Sequence, residues 1–71
     1  MADDRVSVTV NGESRQVATS TTIADIVAVV STAGSGIAVA VNDEVVPRGG
    51  WPSRRLHDRD RVEILTAVQG G

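Results

Sequence analysis

The sequence contains no cysteine, no lysine and a single large aromatic side chain, Trp51. Without cysteine there is no disulfide, no thiolate ligand for a metal or an iron–sulfur cluster, and no cysteine nucleophile. Without further rings the core must be built from aliphatic side chains, and the abundant Val and Ile favour strands because they are β-branched. Trp51 is predicted to lie either in this core or at an interface with a partner.

Catalytic side chains are equally scarce. His57 is the only histidine, and beside Asp58 it is predicted to be a solvated turn residue. One histidine without cysteine provides too few ligands for a transition-metal site, and the carboxylates do not follow the spacing of a calcium loop. Gly34-Ser35-Gly36 lacks the lysine and the spacing of a phosphate-binding loop. We therefore expect no metal and no bound cofactor, and an enzyme is the least favoured class.

The overall charge is low. A net charge of −2 at pH 7 gives no strong field for nucleic acid or a membrane. No apolar run approaches the length of a membrane span, and the start of the chain lacks the pattern of a signal peptide. We expect a cytoplasmic protein that is monomeric when free and binds neither nucleic acid nor membranes.

The charge is unevenly distributed. All seven basic residues are arginines, and five of them lie between Arg48 and Arg61, against two aspartates, which gives that segment a balance of +3. This basic segment, which includes Arg54 and Arg55, is either a solvated loop or a contact surface for an acidic partner.

The first half of the chain predicts a hairpin followed by a helix. Val6, Val8 and Val10 alternate with polar residues as in a half-buried strand, and Asn11-Gly12 suits a type I′ turn into a second strand at residues 14–18. Apolar residues then recur at the spacing of one helix face, namely Ile23, Ile26, Val27 and Val30. Thr22, with Asp25 three residues later, has the pattern of a capping box, although Glu or Gln is preferred at the second position. Residues 31–36 are predicted to end the helix.

The second half predicts three more strands. Residues 37–41 alternate, residues 42–44 form a turn, and a short return strand at Val45-Val46 is stopped by Pro47. Residues 48–55 are predicted to be an irregular connection and residues 57–60 a polar turn. The last strand spans residues 61–66, with Val62 and Ile64 pointing inward.

This order, β-β-α-β-β-β, is the order of the ubiquitin-like β-grasp, and by topological analogy we expect an α+β fold with a mixed sheet of four to five strands packed on one main helix. Residues 1–66 are expected to form the domain and residues 67–71 a flexible C-terminal Gly-Gly tail.

The tail offers a chemical handle in its last residues, Gly70 and Gly71. Glycine has no Cβ, so such a tail can thread a narrow channel in another protein and present an unobstructed carboxylate. Once ATP has converted a carboxylate to an acyl adenylate, a sulfur nucleophile can form a thiocarboxylate. The absence of lysine is compatible with this chemistry, because no side-chain amine of the chain itself can be acylated. The alternative for the Gly-Gly end is a chain terminus without a function. The alternative for the absence of lysine is a genome that favours arginine.

A second candidate is the outward face of the sheet. If the Ile and Val side chains of the later strands point towards the helix, Ala38, Ala40 and Leu65 point away from it. They predict a smooth, partly apolar patch on which a partner could dock. Scattered surface residues without a role are the alternative.

Several segments resemble a known family. They are Val8–Gly12 (VTVNG), Ala40–Arg48 (AVNDEVVPR), Trp51, Leu56, Asp58–Ile64 (DRDRVEI) and the closing Gly70-Gly71. Over nearly the full length they resemble the ThiS family of thiamine-biosynthesis sulfur carriers. The resemblance implies a carrier rather than an enzyme. A ThiF-like adenylyltransferase would activate Gly71 with ATP, a sulfur-transfer protein or cysteine-desulfurase pathway would supply sulfur, and a ThiG-like thiazole synthase would accept it.

The resemblance also assigns roles along the tail. Gly71 would be the modified residue, and Gly70, Gln69 and Val68 would be needed for access to the partners. Gln69 stands where many members have a third glycine. Arg59 stands in Asp-Arg-Asp where Asp-Gly-Asp is usual, which places an arginine at a turn position that favours positive φ.

Two alternatives share the predicted fold. A MoaD-type carrier of molybdopterin synthesis usually has Pro-Pro in its tail, which residues 65–68 lack, so thiamine biosynthesis is favoured. The second alternative is a β-grasp interaction module whose terminal glycines have no role.

Overall fold

The computed structural model describes residues 4–30 and 36–66 of the chain. These residues form two strands, an α-helix, two further strands, a 3₁₀ helix and a last strand. Their bounds are β1 Arg5–Val10, β2 Glu13–Ala18, α1 Ile23–Val30, β3 Ile37–Val41, β4 Glu44–Val46, the 3₁₀ helix Arg48–Ser53 and β5 Arg61–Thr66. The predicted order of the strands and the main helix is confirmed.

Two-residue turns close both hairpins. Asn11 and Gly12 connect β1 to β2 with φ values of 52° and 85°. Asn42 and Asp43 connect β3 to β4 with φ values of 51° and 71°. Positive φ at both central residues is the property of a type I′ turn, which matches the twist of the two strands it joins. The type I′ turn predicted for Asn11-Gly12 is confirmed, whereas β4 begins at Glu44, a residue that the sequence analysis had assigned to the turn.

The five strands of the described residues form one mixed sheet in the order β2-β1-β5-β3-β4. β5 pairs in parallel with β1 and antiparallel with β3. The last strand in sequence is therefore the central strand in space. The predicted β-grasp fold is confirmed.

Helix α1 begins at the predicted capping box. The Asp25 N–H donates to Thr22 Oγ1 at 3.2 Å, and the Thr22 N–H donates to Asp25 Oδ2 at 3.1 Å. This reciprocal pair satisfies N–H groups that the first turn of a helix leaves without partners. Of the predicted end of the helix at residues 31–36, only Gly36 lies within the described residues, and its φ is 71°.

The core lies between α1 and one face of the sheet. Ile23, Ile26 and Val27 of the helix are buried, and Val30 packs against them in a partly buried position. The other buried apolar residues come from the sheet and from the segment after β4; they are Val8, Val10, Val39, Val41, Val46, Trp51, Leu56, Val62 and Ile64. The predicted inward positions of Val62 and Ile64 are confirmed.

The connection after β4 is more regular than the sequence predicts. Residues 48–55 were expected to be irregular, but Arg48–Ser53 form a 3₁₀ helix. The Gly50 N–H donates to the Pro47 carbonyl at 2.8 Å, and the Trp51 Nε1–H donates to the Val46 carbonyl at 2.8 Å. Trp51 is only 6% exposed. Its ring therefore belongs to the core and fixes this turn of the chain against the end of β4.

Candidate functional site

The candidate site begins with the strand that leads to the tail. β5 pairs with β3 from Val62, opposite Val41, to Thr66, opposite Ile37. Its pairing with β1 covers only the start of the strand, where Thr9 lies opposite Arg61 and Val10 opposite Val62. The end of β5 is therefore paired with β3, whereas β1 ends opposite the start of β5.

The side chain of Asn11 compensates for the early end of β1. Its Nδ2 donates to the carbonyl of Ile64 at 3.1 Å, and its Oδ1 accepts from the N–H of Ile64 at 2.8 Å. An amide side chain carries the same donor and acceptor as a peptide group, so Asn11 acts as one more pairing position for β5. Sequence analysis assigned Asn11 only to a turn and missed this role.

Asn42 makes a similar contact near the start of β5. Its Oδ1 accepts from the N–H of Arg61 at 2.9 Å, and its Nδ2 donates to Asp60 Oδ1 at 3.0 Å. Asp60 is only 7% exposed, and its second oxygen accepts from the N–H of His57 at 2.8 Å. The buried carboxylate is therefore hydrogen-bonded on both oxygens, as burial of a charged group requires. Sequence analysis placed Asp60 in a polar turn and missed its burial.

The turn at residues 57–60 is joined to β1. Asp58 Oδ1 accepts from the N–H of Ser7 at 2.8 Å, and the N–H of Arg59 donates to the carbonyl of Ser7. Arg59 has a φ of 70°, so the positive φ expected at this position is confirmed. The His57 side chain is 78% exposed, in agreement with a solvated turn residue.

The outward face of the sheet carries an apolar groove of about 230 Å³. Ala38 lies opposite Leu65 in the β3–β5 pairing, and Ala40 lies two residues further along β3. These three residues line the groove together with Val45 and with Asn11, Val39 and Glu63. Leu65 is 68% exposed and Val45 is 72% exposed. Sequence analysis identified the three residues on β3 and β5 but missed Val45, which joins them only through the β3–β4 register.

Arg54 and Arg55 lie apart from this groove. The Arg54 carbonyl accepts from the N–H of Ile23 at 2.9 Å, and Arg55 forms an isolated bridge with Thr22, so both flank the start of α1. The Arg54 guanidinium is 3.9 Å from the carboxylate of Glu44. The residues predicted as partner surfaces thus form two separate regions, one on the outward face of the sheet and one beside the helix.

Other arginines of the basic segment have local partners. The Arg48 guanidinium lies 5.2 Å from the centre of the Trp51 ring, within the range of a cation–π contact. Asp43 accepts a hydrogen bond from Arg61 and attracts its charge, which raises the pKa of Arg61 above its ordinary value. The charge of Arg61 is therefore balanced by Asp43.

Gly71, Gly70, Gln69 and Val68 lie outside the described residues, so their predicted roles remain predictions. Within residues 4–30 and 36–66, no group of three or more His, Cys, Asp or Glu side chains is arranged to hold a metal ion. No helix in the described part of the chain has both the length and the apolar character needed to cross a membrane.

The described architecture defines the class of protein. One helix covers one face of a mixed five-stranded sheet whose last strand is central, and this arrangement is the ubiquitin-like β-grasp fold. A ThiS family model matches residues 8–71, and the chain belongs to the ThiS family. The family membership indicated by the sequence motifs is thus confirmed.

Two relatives show how far the similarity extends. The sulfur carrier protein ThiS of Escherichia coli (strain K12) is 26% identical over 61 residues, which cover 86% of this chain and 92% of that protein. The crystal structure of the thiamine biosynthesis protein (ThiS) from Geobacter metallireducens is 29% identical, with a TM-score of 0.75. It covers 93% of this chain and 100% of its own. The similarity is therefore one of whole domains.

Proposed function

We propose that this chain is a sulfur carrier of thiamine biosynthesis and that Gly71 is the residue that carries the sulfur. The observation that carries the proposal is the extent of the family match, which runs to residue 71 and so includes Gly70 and Gly71. The fold, shared with a thiamine biosynthesis protein at a TM-score of 0.75, supports it. In this role the chain is a carrier and a substrate of other proteins, not an enzyme.

The proposed chemistry takes place on the carboxylate of Gly71. A carboxylate oxygen attacks the α-phosphate of ATP, pyrophosphate leaves, and an acyl adenylate forms. A sulfide nucleophile then attacks the acyl carbon, AMP leaves, and a thiocarboxylate remains. The chain binds no cofactor of its own, because the activating enzyme binds the ATP. The proposed place of action is the cytoplasm.

The partners follow from these steps. A ThiF-like adenylyltransferase makes the adenylate, a sulfur-transfer protein or a cysteine-desulfurase pathway supplies the sulfur, and a ThiG-like thiazole synthase accepts it. Gly70, Gln69 and Val68 give the modified residue access to the first and last of these sites.

We further propose that the outward groove lined by Ala38, Ala40, Val45 and Leu65 is the surface on which these partners hold the domain. It is apolar and open, and it lies on the strand that leads to the tail. Docking there would bring the partner to the strand from which the reacting end emerges, and burial of the exposed apolar side chains would stabilise the complex.

A pair of matched substitutions tests the docking surface. Leu65 on the groove and Val29 on the helix are both apolar and almost equally exposed, at 68% and 69%. We expect Leu65→Ser to raise the KM of the ThiF-like enzyme for the chain by about tenfold, because it removes apolar area worth ~1 kcal/mol or more at the contact. Val29→Ser should leave KM close to the wild-type value. Equal effects of both substitutions on KM would rule out the groove as the docking surface.

Changes to the tail test the function itself. With the ThiF-like enzyme and ATP, the wild-type chain should support pyrophosphate release. A chain that lacks Gly71 should support it much more slowly, and a chain extended by one residue after Gly71 should lose it. A single added residue leaves the domain untouched, so it separates the carrier from an interaction module. A carrier loses its reaction, whereas a module keeps its binding. Undiminished pyrophosphate release by the extended chain would refute the proposal.

A further inference from the structure

The hydrogen bonds between β1 and β5 continue past the end of β1 through one side chain. On the side that faces β1, every second carbonyl of β5 and of the residue before it accepts a hydrogen bond from β1 or from the turn that follows it. Asp60 accepts from the N–H of Thr9 at 3.0 Å, and Val62 accepts from the N–H of Asn11 at 2.9 Å. The next acceptor at this spacing is Ile64, which receives Nδ2 of Asn11 instead of a main-chain N–H. The side-chain bond thus keeps the two-residue spacing of the ladder.

The backbone of Asn11 explains why a side chain is needed here. Its φ of 52° turns the main chain away from β5 and into the hairpin with β2. β5 continues to Thr66, where it is opposite Ile37 of β3. In this stretch the described contact from the β1 side is the amide of Asn11, which both donates to and accepts from Ile64.

We propose that Asn11 is a positioning residue for the reaction at Gly71. By holding Ile64 from the β1 side, its amide fixes the end of β5 and therefore the point and direction from which the tail leaves the docked domain. A fully extended segment of five residues reaches about 17 Å, so loosening its base moves the reacting carboxylate relative to the partner's active site. The inference rests on the proposed function and adds a residue to it that lies 53 positions before Ile64 in the chain.

Asn42 offers a matched control. It has the same residue type, an almost equal φ of 51°, and a side chain that also donates and accepts beside β5. It contacts Asp60 and Arg61, at the end of β5 that is remote from the tail. Glycine accepts positive φ without strain, so Asn11→Gly and Asn42→Gly each remove an amide side chain without imposing a forbidden backbone conformation.

The test combines amide exchange in the free chain with adenylation kinetics. In Asn11→Gly we expect the Ile64 amide to exchange about tenfold faster than in the wild type, because its acceptor is gone, whereas Asn42→Gly should change it far less. With the ThiF-like enzyme, Asn11→Gly should lower kcat about tenfold, because misplacement of a reacting group slows the chemical step. The loss of kcat is the test, whatever change in KM follows from the place of Asn11 in the groove lining. Asn42→Gly should keep kcat within about twofold of the wild type, because Asn42 contacts the end of β5 that is remote from the tail and its loss does not misplace the reacting group.

Three results would overturn the inference. An unchanged kcat for Asn11→Gly would show that the amide does not position the tail. A raised KM at unchanged kcat would show that Asn11 acts only through its place in the docking groove and does not position the tail. An equal loss of kcat in both glycine variants would trace the effect to general stability.

If the wild-type chain is not adenylated at all, the proposed function fails and the positioning role fails with it. If the wild-type chain is adenylated, the results for the two glycine variants test the positioning role alone.

Discussion

At the scale of single residues, positive φ has different consequences at different positions. Asn11, Asn42, Asp43 and Arg59 all have positive φ. Asn and Asp tolerate the left-handed region, and the two asparagines use it to direct their amides at β5. Arg59 has a long side chain with no such tolerance, and it stands where the family resemblance indicated a glycine.

We expect Arg59→Gly to raise the free energy of unfolding by about 0.5 kcal/mol. Relief of the left-handed conformation is worth ~1–2 kcal/mol, and the added flexibility of the unfolded chain takes back ~0.4–1 kcal/mol. Urea unfolding monitored through the fluorescence of Trp51 measures the difference. Arg59→Ala is the control, because it removes the same side chain and keeps the strain. If the alanine variant is as stable as the glycine variant, the strain at this position is not present in solution.

The residue scale also shows where sequence reasoning ends. The turn at Asn11-Gly12 was predicted because its signal is local, two residues between two strands. The bonds from the same asparagine to Ile64 span 53 positions of sequence, and no local pattern encodes them. The buried carboxylate of Asp60 was missed for the same reason, because its partner Asn42 lies 18 positions away.

At the scale of elements, the periodic segments were predicted well and the aperiodic one was not. The β1–β2 hairpin and α1 have apolar residues at the period of the structure they form, so their type follows from the sequence. The 3₁₀ helix contains Gly49, Gly50 and Pro52, which locally favour irregular structure. It is held by Trp51, whose burial and bond to the Val46 carbonyl depend on the folded core.

The start of α1 gives a prediction at this scale. The helix has only 8 residues, and five of them are valine or isoleucine, which have a modest helix propensity. Its capping box should therefore contribute measurably to its stability. We expect Thr22→Ala to lower the free energy of unfolding by about 1 kcal/mol, because a helix N–H loses its side-chain acceptor. Thr22→Ser keeps the hydroxyl and should stay near the wild type. Urea unfolding measures the difference in stability, and identical unfolding midpoints for the alanine and serine variants would contradict the capping role.

At the scale of the whole molecule, the arrangement of the strands determines what surface the partners meet. Alternation along β3 and β5 was enough to place Ala38, Ala40 and Leu65 on one face. The fold analogy predicted a mixed sheet, but the central position of β5, with a parallel neighbour on one side, was not predicted, because no periodicity of the sequence encodes the order of strands in space. The separation of the groove from Arg54 and Arg55 emerges only from the folded chain.

The basic region beside α1 gives a prediction about association. We expect the double charge reversal Arg54→Glu/Arg55→Glu to slow association with the ThiF-like enzyme by about tenfold at low salt, because charges at an interface mainly affect the encounter rate. The domain should stay folded, since the Arg54–Glu44 pair, the one that the double reversal breaks among the described residues, is partly exposed and worth at most about 1 kcal/mol. Stopped-flow association at low and high salt is the measurement, and the difference should shrink as salt screens the charges. An unchanged rate at low salt would remove this region from the contact surface.

The central claim is that sulfur is carried on Gly71, and intact mass with fragmentation tests it most directly. The chain is incubated with ATP, a sulfur source and the ThiF-like enzyme, beside a version without Gly71. Fragmentation must locate the change, because exchanging oxygen for sulfur adds nearly the same mass as oxidation of Met1. We predict an ATP-dependent gain of sulfur at Gly71 that the shortened chain lacks. No gain at Gly71 with competent activating enzymes, or a gain located elsewhere in the chain, would contradict the claim.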